Sequence, residues 1–310
     1  MSVIVNTNVQ SLVSQRNLSS ATNALNKSTQ RLSTGKKINS AVDDAAGLFV
    51  AKGLESQLSG SQQCQTNIAL GINVLQIAEG DLVNIQDNVQ RIKDLATQAA
   101  SGIYSSQARS AMQDEITARM SEIDRIAASS NFNGISLLNG NAALNAGLTI
   151  QVGAGSGTND SINITGVFGA ATCAGLELDK LQDADIADKY LAVSGAGNQT
   201  VTGNQDKGAA TTLDVHTVQA ARGTVKTCET VLNTITDRRS KLGVAQARLE
   251  SASAGLATTI ENLSAAKSTI MDTDIAAETS NYTKQQILQQ ISSSVLTQAN
   301  QAPSIALSLM

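Results

Sequence analysis

Apolar residues recur at helical spacing near the start of the chain. Side chains three and four residues apart share one face of a helix, and a stripe with this spacing is typical of a coiled coil. The stripe consists of Leu18, Ala21, Leu25, the polar Ser28 and Leu32, and Val5, Val9 and Leu12 continue it upstream, slightly out of phase. Gly35 follows as the predicted stop. The sequence therefore predicts a long N-terminal helix with one narrow apolar face.

Two more helices are predicted before the middle of the chain. Ser40 stands three residues before Asp43, which is the spacing of a capping box, so a helix start is predicted there. The apolar face that follows runs through Ile72, Leu75, Leu82, Ile85 and Val89. A third periodic segment extends from about Ser106 to Ser129.

Helical periodicity returns in the last third of the chain. One face carries Ile235, Leu242, Leu249, Leu256 and Leu263, and a break is predicted at residues 271–274. The last helix carries Ile275, Tyr282, Leu288, Ile291 and Val295. Arg238 falls on the first of these two faces, where either an ion pair or an aliphatic stem covering the stripe would account for it.

The middle of the chain has a different pattern. Residues 148–152 and 161–165 alternate between apolar and polar side chains around a Gly-rich stretch, which predicts a β-hairpin with a long loop. Residues 166–214 are small, polar and irregular, and they predict a short exposed insert.

These elements predict a mostly α fold. Long antiparallel terminal helices form a coiled-coil-like bundle, with a small β-hairpin and an irregular central insert. Single helices are marginal in water, so the two ends are expected to pair. The expected organisation is a core helix over residues 1–40 that pairs with 272–310, helices and the hairpin over 41–165, the insert over 166–214, and a further helix over 215–271.

Composition narrows the function. The 22 basic and 26 acidic residues give a net charge of −4, without the basic excess of a nucleic-acid binder. No stretch is predicted to span a membrane, and the N-terminus lacks the basic and apolar regions of a cleaved secretory signal. One proline and 2% aromatic residues suit long helices joined by narrow contacts.

No catalytic, metal or cofactor site is expected. The chain has one His and three widely spaced Cys, which give neither a zinc pattern nor a disulfide framework. Asp43 and Asp44 are interpreted as helix-capping residues rather than as an acid–base pair. The Gly153–Gly157 stretch lacks the Lys and Ser/Thr of a phosphate-binding loop.

Several motifs at both ends closely resemble those of bacterial flagellins. They are Ile4-Val-Asn-Thr-Asn8, Arg31-Leu-Ser-Thr-Gly-Lys36, Ile38-Asn-Ser-Ala-Val-Asp-Asp-Ala-Ala-Gly-Leu48, Asn262-Leu-Ser-Ala-Ala266, Gln286-Ile-Leu-Gln-Gln290, Val295-Leu-Thr-Gln-Ala-Asn-Gln301 and the ending Leu307-Ser-Leu-Met310. The resemblance covers roughly residues 1–165 and 215–310. Phe49 and Gly53 depart from the family pattern after the paired aspartates.

The resemblance implies a structural subunit that polymerises into the flagellar filament for motility. It implies an extracellular location, unfolded export through the flagellar type III apparatus, and a flagellin chaperone and a filament cap as partners. The paired ends would line the filament core, and the adjoining helices would form the surrounding wall. The alternative is a hook–filament junction protein, which shares terminal helices with flagellins.

Residues 90–98 are similar to the flagellin segment that an animal Toll-like receptor recognises. The resemblance implies receptor contacts at Arg91 and Leu95, with Glu115 assisting from the next helix. Arginine offers a planar fork of donors that suits carbonyl and carboxylate partners. The same surface would also serve subunit stacking in the filament.

Overall fold

The computed structural model describes residues 8–140, 147–178 and 213–308, with side chains as far as Gln301. Two compact units make up the chain. The terminal unit comprises Met1–Gly60 and Thr258–Met310, and the central unit comprises Ser61–Ala257. Val5 lies outside the described residues.

Helices dominate both units, as the sequence predicts. They are α1 (Val9–Thr34), α2 (Ala45–Ala99), α3 (Ser106–Ser129), α4 (Val218–Met271) and α5 (Ile275–Ser308). The strands are β1 (Asn131–Phe132), β2 (Ile135–Ser136), β3 (Leu148–Gln151) and β4 (Ser161–Ile164), and a single 3₁₀ turn covers Thr158–Asp160. The predicted mostly α fold is confirmed.

In the terminal unit, α1 and α5 pack side by side in opposite directions. The amide of Asn8 donates to the carbonyl of Ala299 near one end of the pair, at 2.8 Å, while Arg31 lies beside Glu278 near the other. Gly35 ends α1 with φ of 69°, a left-handed conformation that glycine adopts without a Cβ clash. A small core of Ile38, Ala51 and Met271 closes the unit where α1 and α4 end.

Side-chain caps fix where the helices begin. Asn8 caps α1, and Ser105 caps α3. Asp44, rather than Ser40, caps α2, because its carboxylate accepts the N–H of Gly47 at 2.9 Å. Asp274 caps α5 by accepting the N–H groups of Ala276 and Ala277. The predicted breaks near residue 40 and at residues 271–274 therefore have a local physical cause.

The core of the central unit is built from aliphatic side chains of three helices. Leu82 and Ile85 of α2, Ile123 of α3 and Ile235 of α4 are fully buried. The predicted hairpin is present: β3 and β4 pair antiparallel, with Leu148 opposite Ile164. A second hairpin, β1–β2, surrounds a turn at Asn133 and Gly134, which both have positive φ.

The predicted exposed insert is packed in its first part. Val167, Phe168, Leu176 and Leu178 are buried, so residues 166–178 belong to the core of the central unit rather than to an exposed module. Their apolar side chains are too irregularly spaced to give a periodic signal. Residues 179–212 lie outside the described part of the chain.

One stretch of α2 is long and apolar enough to cross a membrane by length and composition, although the sequence predicts no span. It is the only such helix among the described residues. Core helices satisfy the same criterion, and Leu75, Leu82 and Ile85 of α2 are fully buried within the central unit. The apolar composition of α2 is therefore that of a core helix and does not indicate membrane insertion.

Candidate assembly surfaces

The inner faces of α1 and α5 are the faces that the two helices turn toward each other. They are defined by the least exposed positions, which recur at helical spacing. On α1 these are Ser11, Ser14, Leu18, Ala21, Leu25, Ser28 and Leu32, and on α5 they are Glu278, Tyr282, Gln285, Gln289, Ser292, Leu296 and Ala299. Small and polar residues dominate. The side chain of Gln289, for example, donates to the hydroxyl of Thr22 at 3.2 Å.

Most of the described apolar residues that the sequence assigns to the contact between the terminal helices lie outside the inner faces. Ala21 is buried, and Leu18, Leu25, Leu32 and Tyr282 are half-buried on the inner faces. The others form an outer face, together with Val13 and Ile287, in which every side chain is between 40% and 60% exposed. The outer face consists of Val9, Leu12, Val13, Ile275, Ile287, Leu288, Ile291 and Val295.

The outer face corrects one part of the sequence interpretation. Ile275, Leu288, Ile291 and Val295 were expected to pack on α1, but each of them is between 40% and 52% exposed. These apolar side chains of α5 therefore remain about half exposed within the single chain. Nothing in their spacing along the sequence specifies whether the same chain or another one covers the outer face.

Charged groups fix the register of the terminal unit. A guanidinium nitrogen of Arg31 lies 3.6 Å from a carboxylate oxygen of Glu278, which is 7% exposed. The Nε of Arg31 is buried and has no hydrogen-bond partner among the described residues. A buried pair of this kind is sensitive to loss of either member, since the remaining charge is left uncompensated.

Two carboxylates near the start of α2 are held in their charged form. The ammonium of Lys27, 2.7 Å away, and the N–H of Asn39 lower the pKa of Asp43 to about 2. Lys52 and Lys267 both bind Glu55, at 2.7 and 3.1 Å, and lower its pKa to about 2. These pairs connect α1 to the turn before α2, and α2 to α4.

The predicted packing residues of the long central helices are mostly in the core. Leu75, Leu82, Ile85, Val89, Ile235, Leu242, Leu249 and Leu256 are buried, and Ile72 and Leu263 are half-buried. Polar contacts join α2 and α4 alongside them. Arg239 donates to Gln86 at 2.8 Å, and Lys93 lies 3.0 Å from Glu229.

The predicted receptor residues are divided between surface and core. The Nε of Arg91 donates to Glu115 at 2.9 Å, and Arg119 approaches the same carboxylate at 3.8 Å. The side chain of Arg91 remains 51% exposed. Leu95 is only 3% exposed, because it faces the core of the central unit, so it offers little surface to a partner.

Groups with potential chemistry have structural surroundings. Burial raises the pKa of the Cys228 thiol to about 12 and also raises the pKa of Cys64. The exposed His216 ring lies 2.6 Å from Asp214. No group of three or more His, Cys, Asp or Glu side chains that would hold a metal occurs in the described ranges.

Arg238 illustrates a role that the sequence did not reveal. Its guanidinium donates to the backbone carbonyls of Gly169 and Ala170, at 3.2 and 3.0 Å, a role that neither the ion-pair nor the aliphatic-stem interpretation anticipated. Gln113 acts similarly: its amide donates to the carbonyl of Leu213 and accepts the N–H of Val215. Both side chains satisfy irregular backbone, which has no periodic sequence signal.

Comparison with known proteins decides the family. Residues 5–143 match the bacterial flagellin N-terminal helical region, and residues 225–310 match the C-terminal helical region. Polar flagellin F of Vibrio parahaemolyticus is 34% identical, and the alignment covers all of both chains. Flagellin FlaB2 of Treponema pallidum is 33% identical over 99% of this chain and 100% of its own.

The chain belongs to the bacterial flagellin family. This flagellin is a structural subunit of the extracellular flagellar filament, not an enzyme, and it polymerises with itself. A Vibrio parahaemolyticus protein described as a flagellar hook-associated protein has a similar fold, with a TM-score of 0.51 over 74% of this chain and 99% of its own. At 14% identity that similarity concerns the fold alone. The two relatives named above, which match along their whole length at more than 30% identity, are both flagellins, as the end motifs predicted.

Proposed function

We propose that this flagellin binds its neighbours in the filament through the outer face of α1 and α5. The observation that carries the proposal is the exposure of eight large aliphatic side chains on a helix pair whose inner contact is mostly polar. Fully burying such a side chain contributes about 1.5–3 kcal/mol. Because these side chains are already half-buried, each gains about half of that amount when a neighbour covers it.

The proposed arrangement retains the five segments expected from the sequence. Residues 1–40 and 272–310 line the filament core, and residues 41–165 and 215–271 surround them. The ends of α1 at Thr34 and of α4 at Met271 support these divisions. The packing of residues 166–178 supports moving that stretch from the insert to the wall.

A weak intramolecular contact also supports export in an unfolded form. Opening the α1–α5 pair exposes few aliphatic side chains, chiefly Leu18, Leu25, Leu32 and Leu296, because most of the other inner-face positions are small or polar. The proposed partners on this route are the flagellar export apparatus, a flagellin chaperone and the filament cap. A chaperone that covers the outer face would prevent polymerisation before export.

The outer face is tested with the double variant Leu288→Gln, Ile291→Gln. Both positions are exposed, so the variant is expected to remain folded, with the circular dichroism of the wild type. The critical concentration for polymerisation is expected to rise at least tenfold, which corresponds to about 1.4 kcal/mol per subunit. Gln286→Ala, at an exposed polar position of the same helix, is the matched control. A critical concentration equal to that of the control would refute the proposal.

A second proposed function is recognition by a host Toll-like receptor at Arg91 and Glu115. The Arg91–Glu115 contact supports it, because a guanidinium that is already held in place loses less side-chain entropy on binding. Burial of Leu95 restricts the proposed contact to the two charged residues.

Purified monomer is expected to activate cells that carry the receptor, and Arg91→Ala to reduce that activity at least tenfold. Arg125→Ala is the matched control, because Arg125 is also an exposed arginine paired with a glutamate, in this case Glu122 at 2.6 Å. An Arg91→Ala monomer as active as the control would eliminate this assignment.

A further inference from the structure

Phe49 is an aromatic side chain with almost no contacts. It is 83% exposed near the start of α2, whereas the other described Phe and Tyr side chains are buried or half-buried. Val42, in the preceding turn, is 96% exposed. The chain carries few aromatic residues, and aromatic residues are enriched where proteins contact one another. The exposed ring of Phe49 is therefore a candidate contact residue.

The surroundings of Phe49 leave the ring open to a partner. Gly53 lies four residues further along α2 and therefore on the same helix face, and there is open space beside it. The charged residues nearby are paired within the chain, Lys52 with Glu55 and Lys27 with Asp43, both at 2.7 Å. The ring can therefore be covered without breaking an ion pair of its own unit.

A complementary groove lies in the central unit. Its apolar walls come from α2 and from both hairpins, and it has a volume of about 360 Å³. The walls include Leu70, Val74, Phe132, Ile135 and Ile150, and the polar lining residues Asn67, Thr149 and Gln151 are uncharged. The volume falls within the range of roughly 300–1,000 Å³ that is typical of small binding pockets.

Gly71 sets the shape of this groove. A Cβ at Gly71 would collide with the Cδ1 atom of Ile150, so the side chain of Ile150 would have to shift if another residue stood at position 71. Leu70 and Ile135, on opposite walls, are 48% and 43% exposed. The groove is thus a formed apolar surface that the described residues leave uncovered.

We propose that Phe49 of one subunit inserts into the groove between α2 and the two hairpins of a neighbouring subunit. A helical polymer requires contacts in which two different patches of the same chain are complementary, because only such contacts repeat without closing. Phe49 and the groove are two such patches: one is convex and aromatic, the other is concave and aliphatic, and neither is charged. This inference deepens the filament function and does not depend on the outer face of α1 and α5.

The contact is tested by cross-linking in mixed filaments. Copies carrying Phe49→Cys are polymerised together with copies carrying Leu70→Cys, and the filaments are treated with a short bismaleimide. A cross-linked dimer is expected in the mixture and not in filaments of either variant alone. The wild type is the background control, because its three cysteines are buried. Ile103→Cys, 84% exposed in the central unit but outside the groove, replaces Leu70→Cys as the matched control.

A second measurement does not depend on cross-linking. The Cys introduced at position 70 is expected to react with a bulky maleimide at least tenfold more slowly in filaments than in monomers. In filaments that also carry Phe49→Ala, that protection is expected to disappear.

The outcomes separate this contact from the outer-face proposal. Normal filaments without the dimer, or with an unprotected Cys at position 70, would overturn the Phe49 contact while leaving the outer face intact. Loss of polymerisation in the Leu288→Gln, Ile291→Gln variant has no bearing on it. If both cysteine variants prevent polymerisation, Phe49→Leu decides: a critical concentration equal to that of the wild type overturns the inference, and a severalfold increase supports it.

Discussion

At the scale of single residues, the terminal unit depends on where charges are placed. Asp43 binds Lys27 of α1 and accepts the N–H groups of Asn39 and Ser40 in the turn before α2, at 3.3 and 3.2 Å. These contacts favour the carboxylate over the carboxylic acid and lower its pKa to about 2. Asp43 thereby couples the end of α1 to the beginning of α2, which a cap for one helix alone would not do.

The titration of Asp43 is a direct prediction. Because its pKa is lower in the folded chain than in the unfolded chain, its contribution to stability is complete above about pH 4 and is lost as the pH falls toward 2. In wild-type protein the side-chain carboxyl carbon is expected to titrate by NMR near pH 2. In Lys27→Met the midpoint is expected to move toward the ordinary value of about 4. An unchanged midpoint would mean that Lys27 is not the main cause.

Gly71 gives a second prediction at this scale. Alanine favours a helix over glycine by about 1 kcal/mol, but at Gly71 the added Cβ meets the buried Ile150. Gly80, in the same helix, has open space around it. The free energy of unfolding of Gly71→Ala is expected to be about 1–3 kcal/mol below that of Gly80→Ala, since overpacking opposes the helical gain at the first position only. Urea unfolding of both variants measures the difference.

At the scale of elements, the features that the sequence predicts well are those with a local cause, such as the ends of helices. The ends of α3 and the break between α4 and α5 were predictable, because a cap or a loss of period lies within a few residues of each end. The face that α5 turns toward α1 was not predictable from the sequence. Most of its apolar residues remain exposed, whereas Glu278 and Gln289 contact Arg31 and Thr22 of α1.

The candidate surfaces follow the same division. The exposure of Arg91 and its contact with Glu115 agree with the sequence interpretation, whereas burial of Leu95 depends on how α2 turns within the central unit. The roles of Arg238 and Gln113 were not predictable, because both bind backbone groups far away in the sequence. The packing of residues 166–178 lacked a period for the same reason: irregular backbone places side chains at irregular intervals.

The α1–α5 register gives a prediction for two residues. Arg31→Met leaves the carboxylate of Glu278 without its cation in a mostly buried position, so it is expected to raise the critical concentration for polymerisation about tenfold. Adding Glu278→Leu removes the uncompensated charge and is expected to restore much of the loss. Sedimentation of filaments at a series of concentrations measures both values. A double variant that is worse than Arg31→Met would show that the pair does more than balance charge.

At the scale of the whole molecule, we expect folding and polymerisation to be coupled. The central unit has an aliphatic core of its own, with Leu82, Ile85, Ile123 and Ile235 fully buried. The terminal unit has a small core around Ile38, Ala51 and Met271 and depends on polar contacts along most of α1 and α5. The ends of the chain are therefore the part that gains most from neighbouring subunits.

Truncation tests this coupling. A chain that ends at Leu288 lacks Ile291 and Val295 of the outer face but keeps the whole central unit. It is expected to be soluble, to unfold cooperatively at the same urea concentration as the wild type, and to form no filaments. Normal filaments from the truncated chain would contradict the pairing of the two ends as the basis of assembly.

Hydrogen exchange on the intact monomer provides the matching measurement. Amides of α1 and of α5 are expected to exchange at least tenfold faster than those of α3, because the terminal pair opens without exposing much additional aliphatic surface. Equal protection in both units would mean that the ends are stable before assembly.

The order of the contacts along α1 and α5 determines how the pair responds to force. Among the described residues, the hydrogen bonds between α1 and α5 nearest the chain ends run from Asn8 to Ala299 and from Ser11 to Asn300, at 2.8 and 2.6 Å. A pull on the N-terminus loads these bonds one after another, and each contributes only about 0.5–1.5 kcal/mol net. The mechanical work is therefore divided into small steps, so a modest force is enough to peel α1 away from α5.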